Sequence, residues 1–189
     1  MTDVYFVRHA EPNFDNPDVE YRELTPKGLR DRTRVTEYLA DKEIHRVFSS
    51  PYTRSVDTIR DFADRFGHEV TLVDDFRERK VSTAPVRDLL SFYHDQWMDF
   101  SHRLIGGECL SEVQDRNIRA LKRLLAEHPG ENMVVGSHGT ALSLIVNYFD
   151  PAFDYDRFEE IRELMPWVVR LSFDGDRFLG FESIDVFRK

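Results

Sequence analysis

Val4-Tyr5-Phe6-Val7-Arg8-His9-Ala10-Glu11 sets four apolar residues directly before a guanidinium and an imidazole. Two of the four are β-branched and two aromatic, types that suit a pleated, half-buried surface. A continuous apolar run of that length reads as a buried strand. In open α/β sheets, ligands bind outside the carboxyl ends of the strands. Arg8 and His9 therefore stand where a reacting group would sit.

An Arg-His pair alone is more often a solvated loop. Three further stretches, each after a strand-like run, change that balance. They are Ser49-Ser50-Pro51-Tyr52-Thr53-Arg54, Phe76-Arg77-Glu78 and Gly136-Ser137-His138-Gly139.

The runs between these stretches define the architecture. Thr25-Pro26 reads as an N-cap followed by proline at the first helical position. The helix it starts should reach about Asp41, with Leu29, Val35 and Leu39 on or near its buried face. Arg46 to Ser49 is a second strand. Pro51 and Tyr52 begin a helix that runs to Phe66 and stops at Gly67. Val70 to Val73 is a short third strand. Val86 to Phe100 reads as a helix bearing Leu89, Leu90, Phe92, Tyr93, Trp97 and Phe100. Leu110 to Glu127 is a helix, Asn132 to Ser137 a strand, and Gly139 to about Tyr148 a helix; Glu159 to Leu164 adds a turn or two. Val168 to Phe173 and Phe178 to Ile184 flank Asp174-Gly175-Asp176, a hairpin turn at a sheet edge. Alternating strands and helices imply parallel pairing with helices on both faces. The fold class is thus α/β, a three-layer αβα sandwich whose mostly parallel central sheet has an antiparallel edge.

The 189 residues suit one domain, 1–189, with a substantial core. Hydrophobic residues at 41% and charged residues at 32% describe a globular composition. No apolar stretch is long enough to span a bilayer, and Met1-Thr2-Asp3 lacks a signal-peptide pattern. Cys109 is the single cysteine, which excludes an intrachain disulfide and fits a reducing cytoplasm. The net charge of -9 argues against nucleic acid or anionic membranes as partners. It leaves room for a small phosphorylated substrate, because a local Arg and His cluster can hold phosphate while distant charges are screened.

Arg8-His9-Ala10-Glu11 resembles the Arg-His-Gly-Glu signature of the histidine phosphatases, the phosphoglycerate-mutase-like superfamily. The resemblance continues in family order through Leu24-Thr25-Pro26-Lys27-Gly28, Ser49-Ser50-Pro51 with Arg54 and Thr58, Phe76-Arg77-Glu78, Gly107-Glu108 and Ser137-His138-Gly139. It implies that residues 81–108 are an insertion capping the active site; on its residues alone this segment reads equally as an ordinary packed helix. It also implies that Arg8 and Arg54 clamp a phosphoryl group, a task suited to paired guanidinium hydrogen bonds. His9 is then the nucleophile that forms a phosphohistidine, its other ring nitrogen held by a backbone carbonyl. His138 matches the second histidine, adding charge stabilisation as an imidazolium. Glu78 matches the proton donor, a role that calls for a carboxyl with raised proton affinity. Gly139 belongs to the phosphate-binding set. Glu11 and Glu108 are expected to be structural or substrate-orienting.

Some residues depart from the family pattern. Ala10 replaces glycine. Asp15 stands near the place of a phosphate-binding asparagine, leaving Asn13 or Asn16 to substitute. Cys109 stands where serine is common, and Val81-Ser82-Thr83-Ala84-Pro85 replaces the usual residues after the acid. These departures bear on specificity. Other chemistries fit poorly. Cys109 lacks an arginine six positions on, Ser137 lacks the glycines of a nucleophile elbow, and no glycine-rich phosphate loop is present. The histidines and acids fall at no recognised metal spacing, so neither metal nor cofactor is expected. The function expected is hydrolysis of a small-molecule phosphate monoester. The alternatives are a cofactor-dependent phosphoglycerate mutase and a non-catalytic phosphate-binding protein.

Overall fold

The computed structural model describes residues 1–188. Six strands form one sheet: β1 (Thr2–Arg8), β2 (Ile44–Ser49), β3 (Val70–Leu72), β4 (Asn132–Ser137), β5 (Trp167–Asp174) and β6 (Arg177–Ile184). Their spatial order is β3-β2-β4-β1-β5-β6. β3, β2, β4 and β1 run parallel, whereas β5 pairs antiparallel with β1 and β6 antiparallel with β5. The apolar run at the start of the chain thus lies in the interior of the sheet, paired on both sides.

Six helices cover the two faces: α1 (Pro26–Leu39), α2 (Thr53–Phe66), α3 (Leu89–Met98), α4 (Leu110–Glu127), α5 (Gly139–Phe149) and α6 (Tyr155–Ile161). The alternation of side chains along a strand sorts them. Tyr5 and Val7 share a core with Val35 and Leu39 of α1 and Ile59 and Phe62 of α2. Val4 and Phe6 point the other way, into a core with Leu121 of α4, Leu142 of α5 and Trp97 of α3.

The elements match the sequence reading, with differences at their ends. α1 begins on its Thr25 cap, whose hydroxyl accepts from the Gly28 N–H. Its inner face is Gly28, Val35, Thr36 and Leu39, and Leu29 is exposed rather than buried. Gly28 explains the difference: a Cβ there would lie 2.3 Å from the Glu11 carbonyl oxygen, so the helix approaches the chain through its bare backbone. Leu29, one residue on, is turned about 100° away. α3 starts at Leu89 rather than Val86 because the Asp88 side chain caps it, accepting from Ser91 N–H. α6 spans Tyr155–Ile161 rather than 159–164 because Asp154 caps it in the same way, accepting from Arg157 N–H.

Candidate active site

The polar residues that follow the strands converge at the carboxyl ends of β1, β2 and β4. His9 follows β1 and donates its backbone N–H to the Ser137 carbonyl at 3.1 Å. Ala10 N–H donates to Thr58 Oγ1, which in turn donates to the Arg54 carbonyl, so α2 is tied to the turn after β1. His138 follows β4 and is the N-cap residue of α5. The His9 and His138 rings meet edge to face with centroids 5.3 Å apart.

His9 Nδ1 lies 2.8 Å from the Ala10 carbonyl oxygen. A carbonyl only accepts, so Nδ1 carries the proton and Nε2 keeps its lone pair. Burial, with the charges of Arg54 and Arg8, pushes the His9 imidazole well below its ordinary range. His138 is pushed down in the same sense by burial, Arg54 and His9. With their proton affinity lowered in this way, both rings favour the neutral form near pH 7. His138 Nε2 lies 2.8 Å from Ser50 Oγ, and its Nδ1 is buried without a partner.

The two guanidiniums are held by main-chain carbonyls. Arg8 Nη1 donates to the carbonyls of Ile161, the last residue of α6, and Leu164 just after it, at 2.8 and 3.2 Å, while its Nε is buried and unpartnered. Arg54 donates to the Val19 carbonyl and lies over the Tyr52 ring. Burial lowers both to about 10, which leaves them protonated at neutral pH.

Glu78 sits on the N-terminus of α5. Its carboxylate accepts from Thr140 N–H at 3.1 Å, Ala141 N–H at 3.2 Å and Arg79 N–H at 2.8 Å. Beneath Glu78 lies buried Arg116 of α4. It donates to the Asp75, Arg77 and Glu78 carbonyls at 2.6, 2.8 and 3.4 Å and to both oxygens of Glu108. Glu108 also accepts from Arg77 and from Lys80 N–H. Burial works to raise the Glu108 carboxyl, but the Arg116 and Lys80 hydrogen bonds and the neighbouring cations outweigh it and hold it below the usual range. Glu108 is thus a strut beneath the segment that carries Glu78.

Arg8, His9, Arg54, Glu78 and Gly139 line one cavity of about 630 Å³. A Cβ on Gly139 would lie 3.1 Å from Arg8 Nε, so only glycine gives that guanidinium its full room. Asn13 is not part of the lining: its amide and that of Asn16 both donate to Glu23, at 2.6 and 2.7 Å, and hold that carboxyl down to about 2. Glu11 is likewise occupied, accepting from the Thr25 hydroxyl. Two site residues escaped the sequence reading. Arg22 lines the cavity, its Nε donating to the Asn16 carbonyl; nothing in the polar stretch around it marks it out. Ser50 was visible in the Ser-Ser-Pro motif, but its pairing with His138, 88 residues on, was not.

A family model described as the histidine phosphatase superfamily, branch 1, matches residues 4–180. The chain belongs to that superfamily. This member is 28% identical over 194 residues to phosphoglycerate mutase-like protein 4 of Arabidopsis thaliana, covering 93% of this chain and 82% of the relative. Among solved structures it is similar to Bacillus stearothermophilus YhfR, with a TM-score of 0.79, 20% identity and 95% of each chain covered. It is also similar to a mycobacterial glucosyl-3-phosphoglycerate phosphatase, with a TM-score of 0.76, 17% identity and coverage of 97% and 98%. These two likenesses show the fold. Among the described residues, no helix is long and apolar enough to cross a membrane, and no group of three or more His, Cys, Asp or Glu is arranged to hold a metal.

Proposed function

We propose that the chain hydrolyses a small-molecule phosphate monoester through a phosphohistidine on His9. The observation that carries the reading is the meeting in one cavity of a neutral His9, its Nδ1 proton committed to a carbonyl, with Arg8, Arg54 and Glu78. Phosphoryl transfer needs positioning and charge stabilisation above all. Arg8 and Arg54 bind the non-bridging oxygens. His9 Nε2 attacks phosphorus, and the bond from phosphorus to the alcohol oxygen breaks as that oxygen takes a proton from Glu78. Water then attacks phosphorus, giving its proton back to Glu78 while the N–P bond breaks and inorganic phosphate leaves. His138 is neutral before substrate arrives. A bound dianion beside it offsets the neighbouring guanidiniums and lets the ring take up the charge that stabilises the transferring group. Asn13 has no part in this scheme, because its amide is held by Glu23. Residues 81–108 contribute one wall, through Val81, Val86, Leu89, Leu90 and Tyr93. No step calls for a metal.

The test is p-nitrophenyl phosphate hydrolysis by the His9→Ala variant. Turnover should fall by at least about three orders of magnitude, the scale of a lost covalent route. Near-normal hydrolysis would reject His9.

The mutase-like name of the Arabidopsis relative favours a second reading, phosphoryl transfer between two positions of a sugar acid. That reaction needs a closed site that keeps water from the phosphohistidine. The exposed side chains of Phe14, Val19, Leu89 and Leu90 at the edge of this cavity support free entry of water instead. Incubation with 3-phosphoglycerate and catalytic 2,3-bisphosphoglycerate, followed by phosphorus NMR, separates the two. Isomer interconversion faster than phosphate release from any ester would overturn the phosphatase reading.

A further inference from the structure

The cavity is larger than a phosphoryl group needs. Its volume of about 630 Å³ falls within the roughly 300–1,000 Å³ of pockets that take whole drug-sized ligands. Besides the reactive groups, its lining includes Phe14, Val19, Leu89 and Leu90, which are 64, 49, 40 and 52% exposed. Tyr93 and Phe158 line it as well.

The charged side chains of the lining have partners within the protein, although Arg79 Nε and Arg162 Nε are buried without a hydrogen-bond partner. Arg79 donates to Gln96 and lies over the Tyr93 ring at 4.5 Å. Arg162 lies 3.2 Å from a Glu159 oxygen and 3.8 Å from a Glu163 oxygen. Arg22 donates to the Asn16 carbonyl. The four exposed side chains, Phe14, Val19, Leu89 and Leu90, offer a ligand apolar surface beside these charges. Large exposed apolar side chains at a cavity mark a binding site more often than chance. These line the same cavity as Arg8, His9 and Arg54, which points to the rest of the phosphorylated molecule as their occupant.

We infer that the phosphate monoester taken by this site carries a bulky apolar alcohol, an aryl group or a long alkyl chain, laid against Phe14, Val19, Leu89 and Leu90. The inference rests on the phosphate-site reading above and names its substrate class. A small polar alcohol would leave these four side chains in water and gain nothing from them.

Alkylphosphonates test the assignment without turnover, since their P–C bond is not hydrolysed. Calorimetric titration of the wild-type protein with the ethyl to octyl series should show affinity rising with chain length. If half of each methylene is buried, the gain is about twofold per methylene, roughly 60-fold from ethyl to octyl. Phe14→Ser and Leu90→Ser should each shrink the octyl-to-ethyl ratio. A wild-type ratio near one overturns the inference, as does a ratio that neither substitution changes. Tighter binding of 3-phosphonopropionate than of octylphosphonate also overturns it and points to a short acidic substrate. Failure of inorganic phosphate and of every phosphonate to bind removes the phosphate-site reading itself, and the inference with it.

Discussion

Arg116→Met removes the brace under Glu78, the proposed proton donor, while keeping an unbranched stem in its place. The Arg116 guanidinium serves three carbonyls of the Asp75–Glu78 run and both oxygens of Glu108. Removing one partner of a buried ion pair costs about 3–5 kcal/mol, because the other charge is left without its counterpart. Glu108 keeps Arg77 and the Lys80 N–H, and its side chain retains 17% exposure. The lower end, about 3 kcal/mol, is therefore expected. That is less than the roughly 5–15 kcal/mol of a typical domain, so the variant should fold. For a chain of this size the melting temperature should drop by about 6–12 °C. Glu78 loses its support from below, so hydrolysis of an alkyl phosphate should suffer more than that of an aryl phosphate, whose leaving group needs less acid help. The assays are thermal melting by circular dichroism and the alkyl-to-aryl ratio of kcat/KM. A melting point within about 2 °C of wild type, together with an unchanged ratio, would refute the reasoning. The pH dependence gives a second check. The Glu108 carboxyl is depressed in the folded protein, so its contribution is present above its unfolded value and is lost as pH falls through the folded one. The stability gap between wild type and variant should therefore narrow in acid.

Glu78→Gln keeps the shape of the acid but cannot donate the proton, so alkyl phosphate turnover should fall further than aryl phosphate turnover; equal losses would assign Glu78 an electrostatic role instead. His9 and His138 are buried with pKa values pushed below the ordinary range. As pH falls below about 6.5, the unfolded chain takes up protons that the folded one refuses. Urea unfolding should then show stability falling by up to about 2.7 kcal/mol per pH unit for the two rings, with added phosphate recovering part of it; a flat profile between pH 7 and 5.5 would count against neutral buried rings. Gly28→Ala sets a Cβ 2.3 Å from the Glu11 carbonyl oxygen, and overpacking against backbone should cost about 1–3 kcal/mol. A melting point equal to wild type would show that α1 can move aside.

The motifs were legible because each is a change of chemistry at the end of an apolar run. Val4 to Val7 before Arg8-His9, and Asn132 to Ser137 before His138, mark strand ends without reference to any partner. The α4 helix was legible over its full Leu110–Glu127 length, since eighteen amphipathic residues leave little ambiguity. What failed depends on contacts distant in the chain or on geometry with no sequence signal. Leu29 looks like a core residue until Gly28 is seen to carry the contact with Glu11. Asn13 looks like a phosphate ligand until Glu23, ten residues on, takes its amide. Arg22 enters the cavity from a loop with no periodic pattern, and Ser50 meets His138 only because β2 and β4 are neighbours.

The anchoring of the charged groups bears on how such an enzyme changes over time. Arg8 and Arg54 hang from carbonyl oxygens, and Glu78 from backbone N–H groups. Main-chain atoms survive substitution of the residues that bear them. Val19 illustrates the point: its side chain faces the cavity, but its carbonyl holds Arg54 whatever that side chain is. A lineage can therefore change what the cavity admits by replacing side chains along its lining, with these charged groups left in position at every intermediate step.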